Sequence, residues 1–564
     1  MKILSLHCDY IKFKPLKKAL KSPEELSEKR KKEIEVKEPL VIMIAVEKTD
    51  ENNPNLITDV IKEIKDLAKK VNAKNIVLYP YAHLSPSLSK PNFALKTLEE
   101  VDKALNKEFK IARAPFGYYK EFELKVKGHP LSELSRDIHF SGELPGEEEE
   151  IDYKKLLKEI TKTKLDKTEL KDNDHRIIGK QMDLFSFNET APGMVFWHNN
   201  GMIIRKQLIE FWRKEHEKAG YQETLTPQIL DKKLWQISGH WDKYKENIFL
   251  TDYEKREFAV KPMNCPGGIL IFKNTPKSYK DLPIRTAELG IVHRQELSGV
   301  LGGLFRVIQF TQDDAHIYCT EKQLEQEIIN IIELIDKFYK LFKFEYSVEL
   351  STRPEKRIGQ EKVWDKAESA LEKVLKKKKM KFKINKGDGA FYGPKIDFHI
   401  KDSLKRTWQL ATIQLDFAMP ERFDITYKDN KDKLKRPIML HRVIYGSLER
   451  FIGILLEHTN GRLPLWLAPK QIRVINFTDR NNKACEKLNQ ELKEKEFRTD
   501  LDLNQEPIGG KIKQAEIEKI PYIVTIGDRE EKANTLAVRN KGKVTTINRD
   551  EFIEMITKEV EEMK

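Results

Sequence analysis

The chain has 564 residues with 39% hydrophobic and 34% charged residues, which describes a soluble globular protein too long for one core and favours three or four domains. Lys and Arg outnumber Asp and Glu by 103 to 90, a surplus that suits a polyanion, although a lysine-rich proteome would give the same balance. Four cysteines without paired spacing exclude a disulfide framework, and the lack of a long apolar run or signal-peptide pattern leads us to expect a cytoplasmic protein without membrane contact.

The first 140 residues have the pattern of a compact α/β unit. Apolar, β-branched runs at 1–13, 39–47 and 75–81 predict strands, and 117–129 alternates like another. Apolar residues at helical spacing predict helices over 56–71 and 95–105. Residues 141–190 are first acidic and then lysine-rich, which predicts a linker with some helix.

Residues 290–319 contain two β-like runs around a glycine-rich loop. The pattern predicts a β-hairpin in which Arg294 and Glu296 project from the same face. An arginine guanidinium suits a phosphate group, and a carboxylate can accept a hydrogen bond from a base amine. The alternative is a surface hairpin in which these two residues form a salt bridge. Further on, 438–458 predicts a strand and a helix with Arg450 off its buried face, and strands and helices alternate after 464.

Three segments, in order, resemble the motifs of class II aminoacyl-tRNA synthetases, and specifically the threonyl-tRNA synthetase family. GYQETLTPQI at 220–229 is similar to motif 1, 290–319 to motif 2 and 438–458 to motif 3, while FAVKPMNCPGG at 258–268 adds a fourth element. The resemblance implies a multidomain α/β protein. Its parts would be an archaeal-type editing domain similar to D-aminoacyl-tRNA deacylases at 1–140 and a linker at 141–190. A catalytic domain with an antiparallel sheet flanked by helices would follow at 191–463, and an α/β anticodon-binding domain at 464–564.

The resemblance also implies the activity of a threonine–tRNA ligase. Such an enzyme forms threonyl-adenylate from threonine and ATP with Mg²⁺, transfers threonine to tRNA(Thr), and is a homodimer through motif 1. One Zn²⁺ per subunit would be held by Cys265, His316 and His441. These three residues are far apart in sequence, so without the resemblance a buried cysteine and two core histidines would be the default interpretation.

Other roles are implied by matching motif positions. The threonine-binding residues would be Asp314, Tyr392 and Gln414. The ATP-binding residues would be Arg294, Glu296, Arg306, Lys395, Gln409 and Arg450, of which Arg294 and Arg450 also act in catalysis, with His240 accepting a proton during transfer to the tRNA. Serine differs from threonine by one methyl group, so an editing site is expected. Its residues would be His83, Tyr119, Lys120 and Glu133.

Glu530 and Arg539 resemble residues that read anticodon bases, with a surface ion pair as the alternative. The sequence departs from the family at Gly268, where a histidine is common, and at Ile308 and Gln309, where RVIQF replaces RVRGF. We expect the first change to affect packing only and the second to put an arginine contact in doubt.

Two other functions are alternatives to this one. A synthetase for serine or proline is disfavoured because the set of Cys, Asp-x-His and His is complete. A non-catalytic, synthetase-like RNA-binding regulator would tolerate loss of Arg294, Arg450 or a metal ligand, and all of them are present.

Overall fold

The computed structural model describes residues 1–20, 23–138, 157, 170–254, 256–402 and 405–564. The chain divides into two compact units, Met1–Ile151 and Asp152–Lys564. The predicted linker at 141–190 lies largely outside the described residues, and the four-part division of the chain stays a prediction. Among the helices described, none is long and apolar enough to cross a membrane.

The smaller unit is built around one long strand. Its elements are β1 Lys2–Lys18, β2 Ile34–Lys37, β3 Pro39–Ala45, α1 Leu56–Lys70, β4 Asn75–Pro80, α2 Pro91–Leu105, β5 Lys110–Arg113, β6 Tyr118–Val126 and β7 Glu133–Asp137. The first half of β1 pairs with β3 and β7 and the second half pairs with β2 and β6. The buried stripe of α1, which includes Val60, Ile64 and Leu67, belongs to the same core as the buried strand residues Ile42 and Ile76. The predicted strands and helices of this region are therefore confirmed.

The larger unit begins with the elements that carry the predicted synthetase motifs. They are α3 His175–Gln181, β8 Phe185–Ser186, β9 Phe196–Trp197, α4 Asn199–Lys218, β10 Gln222–Glu223, β11 Ile229–Asp231, α5 Lys232–Ser238, α6 His240–Tyr244, β12 Leu250–Tyr253, β13 Arg256–Val260, α7 Cys265–Lys273, β14 Ile284–His293, β15 Gln309–Cys319, α8 Leu324–Leu341, β16 Glu345–Ser351, α9 Glu361–Lys377, β17 Phe382–Asn385, β18 Lys395–Lys401, β19 Thr407–Asp416, α10 Ala418–Arg422, β20 Tyr427–Lys428, β21 Leu434–Lys435, β22 Ile438–Val443 and α11 Leu448–Thr459.

The main sheet of this unit has the strand order β10-β14-β15-β22-β19-β18-β16-β17. In this order, every neighbouring pair from β14 through β15, β22, β19 and β18 to β16 is antiparallel, as the resemblance implied. Apolar faces of α8 and α11 contribute to the core of this unit, where Ile335, Phe338, Phe451 and Leu455 are fully or almost fully buried. The predicted helix of motif 3 is confirmed, with Arg450 only partly buried.

The C-terminal part of the unit is a second α/β layer. Its elements are β23 Ile472–Asn476, α12 Asn482–Glu494, β24 Thr499–Asp502, α13 Ile508–Ile517, β25 Tyr522–Ile526, α14 Asp528–Ala533, β26 Thr535–Asn540, β27 Lys543–Asn548 and α15 Arg549–Glu561. The strand order is β24-β23-β25-β26-β27, parallel for the first three and antiparallel for the rest. Leu488, Leu492 and Phe552 pack in the core of this layer.

We expect Gly201→Ala to destabilise the larger unit. A Cβ at Gly201, in the first turn of α4, would lie 2.1 Å from the Leu184 carbonyl oxygen, so the backbone must move, at a cost of about 1–3 kcal/mol. The control is Gly509→Ala in α13, where nothing lies within 4 Å and alanine favours the helix. Urea unfolding checks this prediction, and equal stability of the two variants would contradict it.

Candidate functional site

One transverse row of the main sheet brings several of the predicted site residues together. His316 on β15 lies opposite His441 on β22, His441 lies opposite Gln414 on β19, and Gln414 lies opposite Lys395 on β18. Directly opposed residues of neighbouring strands project from the same face of a sheet. The register therefore gathers on one face residues that are up to 125 positions apart in sequence (441 against 316).

Cys265, the first residue of α7, completes a cluster with the two histidines. Their ligand atoms all lie within 4.8 Å of one another, and all three side chains are buried. Burial lowers the pKa of His316 well below its ordinary value, so the imidazole is neutral, and its buried Nε2 has no hydrogen-bond partner among the described residues. A cysteine sulfur and two imidazole nitrogens form a donor set that Zn²⁺ prefers, and three ligands leave a fourth position for another group. The residues therefore fit the implied metal.

Asp416 orients one of these ligands, and the sequence analysis did not identify it. Its Oδ2 lies 2.8 Å from His441 Nε2, while its Oδ1 accepts backbone N–H bonds from Ala418 and Met419 at 2.8 and 3.0 Å. A carboxylate that accepts Nε2–H leaves the lone pair of His441 on Nδ1. Asp416 follows Gln414 by two residues on β19, so the period-2 alternation of a strand could have indicated it.

The cluster adjoins a cavity of about 220 Å³. The lining includes the predicted residues Cys265, Arg294, Asp314, Tyr392, Gln414 and His441, together with Met263, Gln312, Thr412, Arg442 and Val443, which had no predicted role. Tyr392 donates its hydroxyl to Gln414 Oε1 at 3.0 Å. Burial raises the pKa of Asp314 to about 6, so the carboxyl group is mostly ionised at neutral pH. A small polar ligand with a cationic group suits this cavity.

Three arginines, Arg294, Arg306 and Arg450, form what we call the arginine cluster. Burial, and then the charges of Arg306 and Arg294, lower the pKa of Arg450. The Arg294 guanidinium lies 5.1 Å from the ring centre of Phe310, and Arg450 Nε donates to the Phe305 carbonyl at 2.8 Å. Positive charges that lower the pKa of a neighbouring arginine are stabilised by an anion such as a phosphate.

The expected geometry of Arg294 and Glu296 was wrong in one respect. β14 ends at His293, so both residues lie in the loop beyond the strand and the strand pleat does not orient them. Glu296 pairs with Arg306, at 2.9 Å between Oε2 and Nη2, so the Arg294–Glu296 salt bridge is replaced by a pair across the loop.

Lys395, Gln409 and His240 do not line the cavity. Lys395 Nζ and Gln409 Nε2 both contact Asp397, at 2.9 and 2.6 Å. His240 is completely buried beside Tyr392, with ring centres 6.4 Å apart, and its Nδ1 contacts Ser238 Oγ at 2.7 Å. Within the part of the chain that the structure describes, its Nε2 has no hydrogen-bond partner, and burial lowers its pKa to about 3.

The positions that depart from the family lie beside the site. A Cβ at Gly268 would lie 3.4 Å from His316 Nδ1, so this residue touches a candidate metal ligand and not only the core. The Ile308 carbonyl accepts from Arg294 N at 2.9 Å, and Gln309 opens β15 opposite His293.

A second cavity, of about 520 Å³, lies in the smaller unit. It is lined by His83, Tyr119 and Lys120 from the predicted editing set, with Tyr79, Tyr81 and Phe116 among the other side chains. The fourth predicted residue, Glu133, is exposed on β7 opposite Leu6 and does not line this cavity, so its part in editing stays a prediction. The predicted strand at 117–129 supplies Tyr119 and Lys120, and the turn after β4 supplies His83.

Lys120 has an unusual environment in this cavity. Burial lowers its pKa to about 8, while its Nζ donates to the carbonyls of Pro115 and Tyr118, each at 3.1 Å. The ammonium lies 5.1 Å from the ring centre of Tyr79. An amine whose two remaining N–H groups bond to carbonyls has a lone pair available once it is neutral, so Lys120 is suited to accept a hydrogen bond from a ligand near pH 8.

The two predicted anticodon residues have local partners and lie apart in the C-terminal layer. Glu530 Oε2 accepts from Gly527 N at 3.0 Å and so caps α14. Arg539 on β26 lines a cavity of about 560 Å³ with Lys343, Arg462 and Lys519, and its Nη1 lies 3.8 Å from Glu516. Arg539 thus has Glu516 as an ion-pair partner, and the anticodon roles of Glu530 and Arg539 stay predictions.

Comparison with protein families matches three consecutive stretches of the chain. Residues 1–138 match the Archaea-specific editing domain of threonyl-tRNA synthetase, 244–459 match the class II tRNA synthetase core domain (G, H, P, S and T), and 471–559 match an anticodon binding domain.

Relatives and solved structures agree with these matches. Threonine–tRNA ligases of Clostridium botulinum (strain Loch Maree) and Caldanaerobacter subterraneus subsp. tengcongensis are each 54% identical over 394 residues, 70% of this chain. The chain spans 62% and 61% of the length of these two curated relatives.

Two crystal structures are similar to the chain. The RNA binding domain of threonyl-tRNA synthetase from Cryptosporidium parvum is 38% identical, with a TM-score of 0.66 over 68% of this chain and 98% of that one. Putative threonyl-tRNA synthetase ThrRS-1 from Aeropyrum pernix is 31% identical, with a TM-score of 0.62 over 69% and 97%.

The arginine cluster predicts that inorganic pyrophosphate stabilises the protein. At ten times the Kd the gain is about 1.4 kcal/mol, seen as a higher melting temperature in a thermal shift assay. Arg450→Ala should lose most of this shift, whereas Arg213→Ala, which removes a surface pair with Glu223, should keep it. A shift that is equal in both variants would show that pyrophosphate binds elsewhere.

Proposed function

We propose that this chain, which belongs to the threonyl-tRNA synthetase family, activates threonine with ATP and Mg²⁺ and transfers it to tRNA(Thr). The observation that carries the proposal is the cluster of Cys265, His316 and His441 at a cavity that Arg294 and Asp314 also line. A non-catalytic regulator would have no need of this combination, and a synthetase for serine or proline would have no need of the complete metal-ligand set.

Activation requires attack of the threonine carboxylate oxygen on the ATP α-phosphorus, with pyrophosphate as the leaving group. The arginine cluster supplies fixed positive charge where negative charge develops, which is the main catalytic contribution in phosphoryl-type transfer. Arg294 lines the cavity and is assigned to the α-phosphate and the carboxylate. Arg306 and Arg450 are assigned to the outer phosphates and Glu296 to the adenine amine. Lys395 and Gln409, which both contact Asp397, are assigned to ATP by the resemblance.

Selection of threonine over valine needs a group that recognises the hydroxyl, because the two side chains are nearly isosteric. Cys265, His316 and His441 would hold Zn²⁺ at the cavity, and the metal would supply a Lewis acid able to recognise the polar groups that threonine has and valine lacks. Asp314 is placed to accept the hydroxyl proton, and Tyr392 and Gln414 hold each other on the same side of the cavity.

Transfer forms an ester between the threonyl carbonyl and a hydroxyl of the terminal tRNA ribose, and AMP leaves. With a pKa of about 3, His240 is neutral at pH 7 and is a weak base. We therefore assign its Nε2 to accept a hydrogen bond from the ribose hydroxyl, which requires a movement that exposes this buried side chain. The C-terminal layer is assigned to the anticodon, where Arg539 and Glu530 would have to exchange their present partners for bases.

The proposed dimer uses the motif 1 segment. Leu225 and Ile229 are 75% and 55% exposed, with Pro227 exposed between them, which is an apolar surface that a second subunit would cover. This segment is anchored to the active-site sheet, because Thr226 donates to the buried Glu288, which also accepts from the buried Lys261 at 2.8 Å.

Pyrophosphate exchange tests the activity and the metal together. Threonine should support exchange, serine should do so with a kcat/KM about 10- to 200-fold lower, and valine should be rejected by about 10⁴-fold. Cys265→Ser should lose both the zinc found by metal analysis and the threonine-dependent exchange. Asp416→Asn keeps a capping side chain for α10 and should lower metal affinity by about 10- to 100-fold. Full exchange by a zinc-free protein would contradict the metal assignment.

The smaller unit is assigned to hydrolysis of Ser-tRNA(Thr). Lys120 would accept a hydrogen bond from water or the ribose hydroxyl in its neutral form, with Tyr119 and His83 shaping the cavity; Glu133 contributes no side chain to it. Because its pKa is about 8, the lysine is protonated below that pH and neutral above it, so the hydrolysis rate should rise with pH and level off above about 8.

Lys120→Arg keeps the charge and removes the neutral form. We expect hydrolysis of Ser-tRNA to fall by about 10²-fold and to lose this pH dependence, while threonylation is unchanged. Spontaneous ester hydrolysis, measured without protein at each pH, is subtracted. A variant with the wild-type rate profile would contradict the role of Lys120.

A further inference from the structure

His175, at the start of α3, is a buried histidine outside the cavity. Its Nδ1 lies 2.6 Å from Glu457 Oε1 at the end of α11, and its Nε2 accepts from Leu304 N at 2.9 Å. Both His175 and Glu457 are only 2% exposed. The imidazole therefore joins α3, the motif 3 helix and the loop between β14 and β15.

The bonds define one tautomer of His175. Burial acts to raise the pKa of Glu457, but hydrogen bonds from His175 and Arg406 outweigh it and hold the pKa below its ordinary value, so Glu457 is an ionised acceptor. Nδ1 then carries the proton and Nε2 carries the lone pair that accepts the Leu304 N–H. Asp174, His175 and Glu457 lie close enough to hold a metal ion, but both ring nitrogens are already used, which argues against that role.

The loop is fitted closely around this imidazole. Gly303 has φ +50°, and a Cβ there would lie 2.1 Å from His175 Nε2. The Phe305 ring stands 4.2 Å from the imidazole, centre to centre, and the Phe305 carbonyl accepts from Arg450 Nε. The next residue is Arg306. The path from His175 to the arginine cluster therefore runs through two hydrogen bonds and a ring contact.

We propose that His175 is a positioning residue for ATP, because it fixes the loop that carries Arg306 and the carbonyl that orients Arg450. The proposal rests on the proposed function of the arginine cluster. His175 should therefore affect the binding of the ATP phosphates and not the binding of threonine. Among the described residues, His175 contacts none that line the threonine cavity.

The test is His175→Phe in the full chain, assayed by threonine-dependent pyrophosphate exchange. Phenylalanine keeps a ring against Phe305 and removes both hydrogen bonds. We expect the KM for ATP to rise about tenfold or more and the KM for threonine to change by less than about twofold. His175→Gln, which retains a donor and an acceptor, should recover part of the loss. A merely structural role would lower apparent kcat through loss of active protein and leave both KM values unchanged.

Two further variants separate positioning from helix stability. Asp174→Ala removes the side chain that accepts from Arg176 N at the start of α3, so it should lower the melting temperature without raising the KM for ATP. Gly303→Ala adds a Cβ that pushes the loop away from His175 and should therefore raise the KM for ATP. The increase in the KM for ATP caused by Gly303→Ala should be smaller in a His175→Ala background, because the added Cβ then no longer meets an imidazole.

An unchanged ATP KM in His175→Phe, or an equal increase in Asp174→Ala, would overturn the proposal. Strictly additive effects of Gly303→Ala and His175→Ala on the KM for ATP would overturn the proposal as well. Absence of threonine-dependent exchange in the wild-type protein would instead refute the proposed function, so the two failures are distinguishable.

Discussion

The register of the main sheet is the constraint on which the candidate active site depends. Because His316, His441, Gln414 and Lys395 stand opposite one another on four strands, one face of the sheet carries a metal-ligand pair, a cavity residue and a cation in a single row. A slip of one residue in any of these strands would turn its side chains to the opposite face, against α8 and α11. Cys265 joins the row from outside the sheet, since α7 begins beside it.

Around this row the electrostatics are divided between two neighbouring regions. The cavity is lined by Asp314, whose pKa is raised to about 6 by burial, so it favours a cationic or hydrogen-bond-donating ligand. Asp416, which contacts the lining residue His441, adds a second carboxylate behind the lining. The arginine cluster lies next to it and favours an anion, with Arg294 common to both. An amino acid, with its ammonium group, suits the first region, and a nucleoside triphosphate, with its phosphates, suits the second. The arrangement suits a reaction that joins their carboxylate and α-phosphate.

Local elements could be predicted from the sequence because period and composition determine them: the strands and helices of the first 140 residues and the motif 3 helix were confirmed. The site residues were identified from a resemblance, since no local pattern links Cys265 to His441. The orientation of Arg294 and Glu296 was wrongly predicted for a physical reason, because a strand pleat was extended beyond the end of β14. Glu133 was placed in a cavity by its motif, although β7 holds it on an exposed edge. Asp416 and His175 depend on tertiary contacts, and only strand alternation could have indicated the first.

X-ray absorption at the zinc edge, on the purified protein with and without threonine, tests the central claim most directly. The account predicts one sulfur ligand at about 2.3 Å and two imidazole nitrogens at about 2.0–2.1 Å, in a shell that changes when threonine is added and not when valine is added. A shell without sulfur, a shell closed by four protein ligands, or one that responds equally to both amino acids would contradict it.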